Sequence, residues 1–132
     1  MKKIFSCSVL ILISFFCFAQ TQYEMNEAEL NKLHIAETEL DLVYQKILNE
    51  YKEDTAFVKN LKVSQKIWSQ YKEAELKMMY PDREPGYYGS VHPMCIAIYR
   101  TELTNERIEE LQLWLEGCEE GDVCGSSVRV KR

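Results

Sequence analysis

Apolar residues recur at intervals of three and four along three separate stretches of the chain, the spacing that gathers side chains on one face of an α-helix. In the first stretch Leu33, Ala36, Leu40, Val43, Tyr44, Ile47 and Tyr51 keep this interval, with Glu37, Glu39, Asp41, Lys46 and Glu50 mainly between them. Thr21 and Asn26 are both candidate N-caps, each followed three residues on by a glutamate, Glu24 and Glu29, as a capping box requires. The pattern therefore predicts a helix of about seven turns that starts in this window. No Gly or Pro ends it, so the charged cluster Lys52-Glu53-Asp54 marks the break, with Asp54 capping the next helix.

The second stretch runs from Thr55 to about Tyr80, where Pro81 stops it. Gln65, Trp68, Tyr71, Glu75 and Met78 fall on one stripe, and Phe57, Leu61, Trp68, Tyr71 and Met78 are expected to face inward. Trp and Tyr bury a large apolar body while needing a partner for the N–H or O–H, so this stripe predicts a packed core with polar ties. His92-Pro93 opens a third helix, because proline suits a first turn in which its missing N–H is not needed. Ala97, Leu103, Thr104, Ile108, Leu111 and Leu115 form its stripe, and Gly117 is the expected C′ residue.

Between the second and third helices, Asp82 to Val91 holds Pro85, Gly86 and Gly89 around Tyr87 and Tyr88, a composition that resists both helix and strand. Beyond Gly117 the chain is rich in Gly and Ser and has no periodicity, so residues 125–132 are expected to form a mobile tail. Three helices of nearly matched length with one tight and one long connection imply an all-α, antiparallel three-helix bundle. At 132 residues the chain is sized for one domain, set here at 20–124.

Residues 1–19 read differently. Lys2 and Lys3 form a positive n-region, Ile4 to Phe18 an almost uninterrupted apolar run, and Cys17-Phe18-Ala19 a small-x-small cleavage site, which is the pattern of a secretory signal peptide cut before Gln20. A run of about 15 apolar residues is short of a bilayer span. Acylation at Cys17 is disfavoured because Phe16 stands where a lipoprotein signal wants a small residue. The expected location is periplasmic or secreted.

Removing this leader subtracts Lys2 and Lys3 and no acids, leaving 14 Lys+Arg against 21 Asp+Glu and a formal charge of −7. An acidic surface repels nucleic acid and speeds encounter with basic partners. Three cysteines remain, Cys95, Cys118 and Cys124, in a compartment that permits disulfides. Cys118 and Cys124 are close enough in sequence to close a small ring, and this pairing is favoured over Cys95 joining either of them.

Candidate chemistry is sparse. His34 and His92 lie on different elements without a metal-binding pattern, and there is no nucleophile elbow, phosphate loop or Cys-His arrangement, so neither metal, cofactor nor catalytic residue is expected. Glu73 and Glu75 are two apart and point in different directions on a helix, which is unsuited to paired acid–base work. Glu75 and Arg107 each lie on an inward stripe, and an intramolecular ion pair between them is expected, fixing register with Trp68 and Tyr71. The loop is the candidate binding surface, with Glu84, Tyr87, Tyr88, Ser90 and His92 as its contacts, since tyrosines supply contact area with little rotamer entropy to lose. A second reading stands beside it, in which Tyr87 and Tyr88 fold back as a lid on the core.

The order Gln65-x-x-Trp68-x-x-Tyr71-x-x-Ala74-Glu75, then Tyr88-Gly89-Ser90-x-x-Pro93-Met94, then Leu103-Thr104-x-x-Arg107, resembles the LprI-like family of exported bacterial proteins, whose named activity is lysozyme inhibition. Met25-Asn26, Leu40-x-x-Val43-Tyr44 and the ending from Cys118 to Cys124 extend the likeness over nearly all of residues 22–124. The sequence departs from the family pattern at Ala28 and Leu76, where cysteines are typical. The resemblance implies a non-enzymatic protein that binds a protein partner, a lysozyme. The rival expectation is a structural or adaptor module of the cell envelope.

Overall fold

The computed structural model describes residues 2–131, with side chains described from Thr21 onward. Among the described residues there are three helices: α1 (Lys2–Glu50), α2 (Thr55–Met79) and α3 (His92–Glu116). Among the described residues there is no strand, only an isolated bridge between Cys118 and Val130. The architecture is the expected all-α three-helix bundle. The leader reading of residues 1–19 lies outside the residues whose side chains are described, and no helix among the described residues is long and apolar enough to cross a membrane.

Local chemistry sets the helix ends. The Asp54 carboxylate accepts from the Phe57 N–H at 2.9 Å, satisfying one of the free donors at the start of α2. Pro93 sits in the first turn of α3, and Gly117 ends that helix at φ +82°. A Cβ at Gly117 would stand 2.7 Å from the Arg129 carbonyl oxygen, so glycine is required there by both conformation and space.

Two long-range ties reveal how the helices are aligned. Asn26 Nδ2 donates to the Ser90 carbonyl at 3.1 Å at one end, and the Tyr51 hydroxyl donates to the Trp114 carbonyl at 3.0 Å at the other. The sequence separations, 64 and 63, are almost equal, so α1 and α3 run parallel and in step. α2 returns antiparallel to both, farther from each than they are from one another. The core lies between α1 and α3 around Leu40, Val43, Ile47, Ile108 and Leu111, closed on the α2 side by Leu61. Thr104 is fully buried there, and its hydroxyl donates to the Arg100 carbonyl one turn back at 2.7 Å.

Four expectations need correction. First, α1 does not begin at Thr21 or Asn26 but runs through both. Because the preceding chain is helical, the backbone donors a capping box would satisfy are already bonded, and Asn26 instead accepts from Gln22 while donating to Ser90.

Second, Tyr71 and Met78 are 50 % and 68 % exposed, whereas α2 buries Leu61, Lys72 and Leu76. From Trp68 a helix of 3.6 residues per turn can step three or four to its next inward position. It steps four, to Lys72, a residue that hydrophobic patterning does not read as core.

Third, residues 125–132 do not form a loose tail over the part that is described. Cys118 N–H donates to the Arg129 carbonyl and Lys131 N–H to the Cys118 carbonyl, both at 2.9 Å. Arg129 donates to the last carbonyl of α1, Glu50, at 2.6 Å, and its guanidinium lies 4.2 Å from the centroid of the Tyr51 ring. A cation is favoured at a helix C-terminus and over an aromatic face alike. Val128 is buried, and Ser127 accepts from the Trp114 indole at 3.1 Å. These contacts form a clasp over the end of the bundle.

Fourth, the structure does not join Cys118 to Cys124. Among the described residues Cys95, Cys118 and Cys124 are free: Cys118 is buried with Sγ 3.5 Å from the Val128 carbonyl, Cys95 is half-buried, and Cys124 is exposed with its N–H held by Asp122. The clasp folds Cys118 inward while the turn at Asp122 carries Cys124 outward.

Tyr51 is the hinge of this arrangement, since its hydroxyl donates to Trp114 and accepts from Arg129 N–H at 3.2 Å. Tyr51→Phe strands both partners and is expected to cost about 1–3 kcal/mol in urea unfolding, with a shift of Trp114 fluorescence. An unchanged midpoint would show that the clasp adds nothing to stability.

Candidate partner-binding site

α2 ends because its last N–H to bond, that of Tyr80, reaches Leu76 at 2.8 Å and Pro81 cannot continue the series. The chain then turns twice, with Tyr87 N–H donating to Glu84 O and Gly89 N–H to Gly86 O, both at 3.1 Å. Gly86 and Gly89 adopt φ of +85° and +72°, a left-handed conformation that favours glycine. Space around both is open, so the constraint is conformational alone.

Four rings organise what the turns present. Tyr88 stacks on His92 at 4.4 Å with an interplanar angle of 25°. Tyr80 packs on both, at 5.6 Å edge-on to Tyr88 and 5.0 Å from His92. The Tyr88 hydroxyl donates to the Pro81 carbonyl at 2.7 Å, closing the loop on its own start. Tyr87 sits edge-on to Tyr88 at 4.9 Å and is 68 % exposed, with Arg83 5.7 Å from its ring centroid. The result is a cleft of about 250 Å³ along Tyr80 to Gly89, tied to α1 through Asn26 and the Ser90 carbonyl.

The two tyrosines differ in their surroundings. Tyr88 is half-buried and braces the loop, whereas Tyr87 projects to solvent. Glu84 and Ser90 are exposed beside it, and His92 lies half-buried beneath. Burial holds the Tyr80 hydroxyl above the ordinary tyrosine range, with smaller contributions from Cys95 and Tyr88, so it stays protonated and neutral.

Glu75 and Arg107, expected as a pair, are apart. The Glu75 carboxylate accepts from the Tyr99 hydroxyl at 3.2 Å. Arg107 donates to Gln65 at 3.1 Å, Ser64 at 3.0 Å and Glu110 at 2.9 Å, and its guanidinium lies 6.0 Å from the centroid of the Trp68 ring. Antiparallel register decides this: 75 meets 99, 73 meets 100 and 65 meets 107, so a step up one helix is a step down the other. The hairpin centre near Gly86 was the signal that could have placed these partners. Burial first, then the Glu75 carboxylate, holds Tyr99 above the usual tyrosine range, which keeps it a donor.

The family model described as lysozyme inhibitor LprI matches residues 18–111. The chain belongs to the LprI lysozyme inhibitor family. No curated protein and no solved structure matches it. The match to LprI spans the aromatic loop and runs into α3 as far as Leu111. At the two positions where the resemblance implies cysteines, Ala28 is exposed and Leu76 is buried on α2.

Missed from the sequence were Asn26, Tyr80 and Arg83, which hold, floor and flank the loop. The crowding of Tyr80, Tyr87, Tyr88 and His92 around a Pro-Gly turn was the available sign of a ring cluster. Tyr88→Phe keeps the ring and removes the bond to Pro81, so it is expected to cost about 1 kcal/mol and to speed amide exchange at Tyr87 and Gly89. Unaltered exchange would show that the hydroxyl does not brace the loop.

Proposed function

We propose that this protein is exported, with residues 1–19 removed as a leader, and that it inhibits a lysozyme by non-covalent binding through the loop from Tyr80 to His92. The observation that carries this reading is Tyr87, exposed at the tip of a loop whose remaining rings pack beneath it. Such preorganisation lowers the ordering cost of binding, and a rigid tyrosine offers contact area with few torsions to freeze.

The electrostatics agree. A glycoside hydrolase cleft holds a pair of carboxyl groups, and lysozymes are usually basic overall. An acidic inhibitor gains long-range attraction to the enzyme, to which Asp82 and Glu84 contribute. At short range the cleft carboxylates call for donors, and the Tyr87 hydroxyl and the Arg83 guanidinium beside it supply them. The arrangement offers binding groups, and the role proposed for it is not enzymatic.

Purified protein assayed against several lysozyme types is expected to inhibit at least one. Tyr87→Ala should raise the concentration for half-inhibition about tenfold or more, with circular dichroism unchanged, because truncating a central aromatic contact typically costs that much. Arg83→Gln should weaken inhibition in the same direction. Full inhibition by Tyr87→Ala would remove the loop from the interface, and no inhibition of any lysozyme would favour an envelope adaptor role.

A further inference from the structure

α2 carries the opposite charge sign from its neighbours. Thr55–Met79 holds five lysines and two glutamates, whereas α3 holds two arginines and five glutamates. The part of α1 from Thr21 onward is acidic too, with Lys32 and Lys46 against seven carboxylates.

A groove of about 790 Å³ follows the side of α2 that meets Tyr44 of α1. Lys62, Lys66 and Lys77 line it, all exposed, and among the described residues none of the three has an ion-pair partner. Glu73 is the carboxylate in this lining, and Arg100 Nη2 donates to its two oxygens at 3.0 and 2.9 Å. That pairing cancels the Glu73 charge, so the groove presents three positive charges on a chain of formal charge −5. Gln70 and Tyr44 add amide and ring surface to the wall.

We propose that this groove binds a linear anionic glycan. From Lys62 to Lys77 the row extends about 22 Å, with one interval of about 6 Å and one of about 16 Å, a spacing that suits a chain with repeated charge better than a compact anion. Trp68, Tyr44 and Ala74 set ring and methyl surface between the amide, hydroxyl and ammonium groups of Gln65, Ser69, Gln70 and the lysines, an open mixed wall that meets both the faces and the hydroxyls of sugar rings. Acidic α1 and α3 repel a polyanion elsewhere, which confines it to α2. The site is separate from the Tyr87 loop and does not rest on lysozyme binding.

Dextran sulfate titrated against the purified protein at low salt tests this, with neutral dextran and poly-glutamate alongside. Dextran sulfate is expected to bind and neutral dextran not to. The log affinity should fall with log salt at a slope of about −2 to −3, as release of counterions from three charges requires. The triple substitution Lys62→Gln, Lys66→Gln and Lys77→Gln should weaken binding at least tenfold, and because Gln matches Lys in helix propensity the fold is kept. Tyr87→Ala should leave it unchanged. Absent binding, binding insensitive to salt, or full binding by the triple variant would overturn the proposal. Poly-glutamate bound as tightly as dextran sulfate would overturn it in favour of an acidic protein partner.

Discussion

Beyond Trp68 the mounting of α2 on the α1–α3 pair is largely polar, with Leu76 as its buried apolar contact, and the placement of the loop depends on it. α1 and α3 meet through Val43, Ile47, Ile108 and Leu111, a dry seam of the kind that carries most of a small bundle's stability. Across the C-terminal half of α2 the contacts change character. Lys72, 8 % exposed, reaches Glu37 of α1 at 3.5 Å and lies 4.9 Å from the centroid of the Trp68 ring. Arg100 crosses to Glu73 with its Nε buried and unpaired, and Tyr99 donates to Glu75. Taking such charges from water costs nearly what their pairing returns, so the layer specifies position more than it adds stability. Each tie is satisfied at one register only, and that register sets where α2 ends.

Where α2 ends is where the proposed function begins. Pro81 releases the chain at a height fixed by the ties at 73, 75 and 65, and the rings of Tyr80, Tyr88 and His92 turn that release into a platform for Tyr87. The Asn26 amide bonds the same loop to α1, so both halves of the bundle hold it. At the opposite end the clasp around Tyr51 and Arg129 pins α1 to α3. One end is devoted to closure, and the other carries the proposed binding loop.

Much of this was legible from residue spacing, and the misses share a cause. The helix stripes of α1 and α3, the Asp54 cap, Pro81, Pro93 and the Gly117 stop each rest on a local rule, and each local rule held. What failed was non-local or polar. Lys72 is core by position and surface by type, so hydrophobic patterning reads the wrong face of α2 beyond Trp68. Inward position alone pairs Glu75 with Arg107, whereas the antiparallel count sends them to Tyr99 and Gln65. The segment from Cys118 to Lys131 has no period because backbone bonds and one arginine hold it, and pattern reading cannot see those. In the loop, spacing could propose Tyr87 and Tyr88 together, but only packing could separate the brace from the tip.

An apolar α1–α3 pair thus carries an α2 whose N-terminal half joins the core through Leu61 and whose C-terminal half is held largely by polar ties. Native-state amide hydrogen exchange measures this directly, because it assigns each helix its own opening free energy. Amides of Ile47, Ile108 and Leu111 should exchange only on global unfolding, while those from Trp68 to Met79 open earlier and together. Equal protection of all three helices would contradict the account.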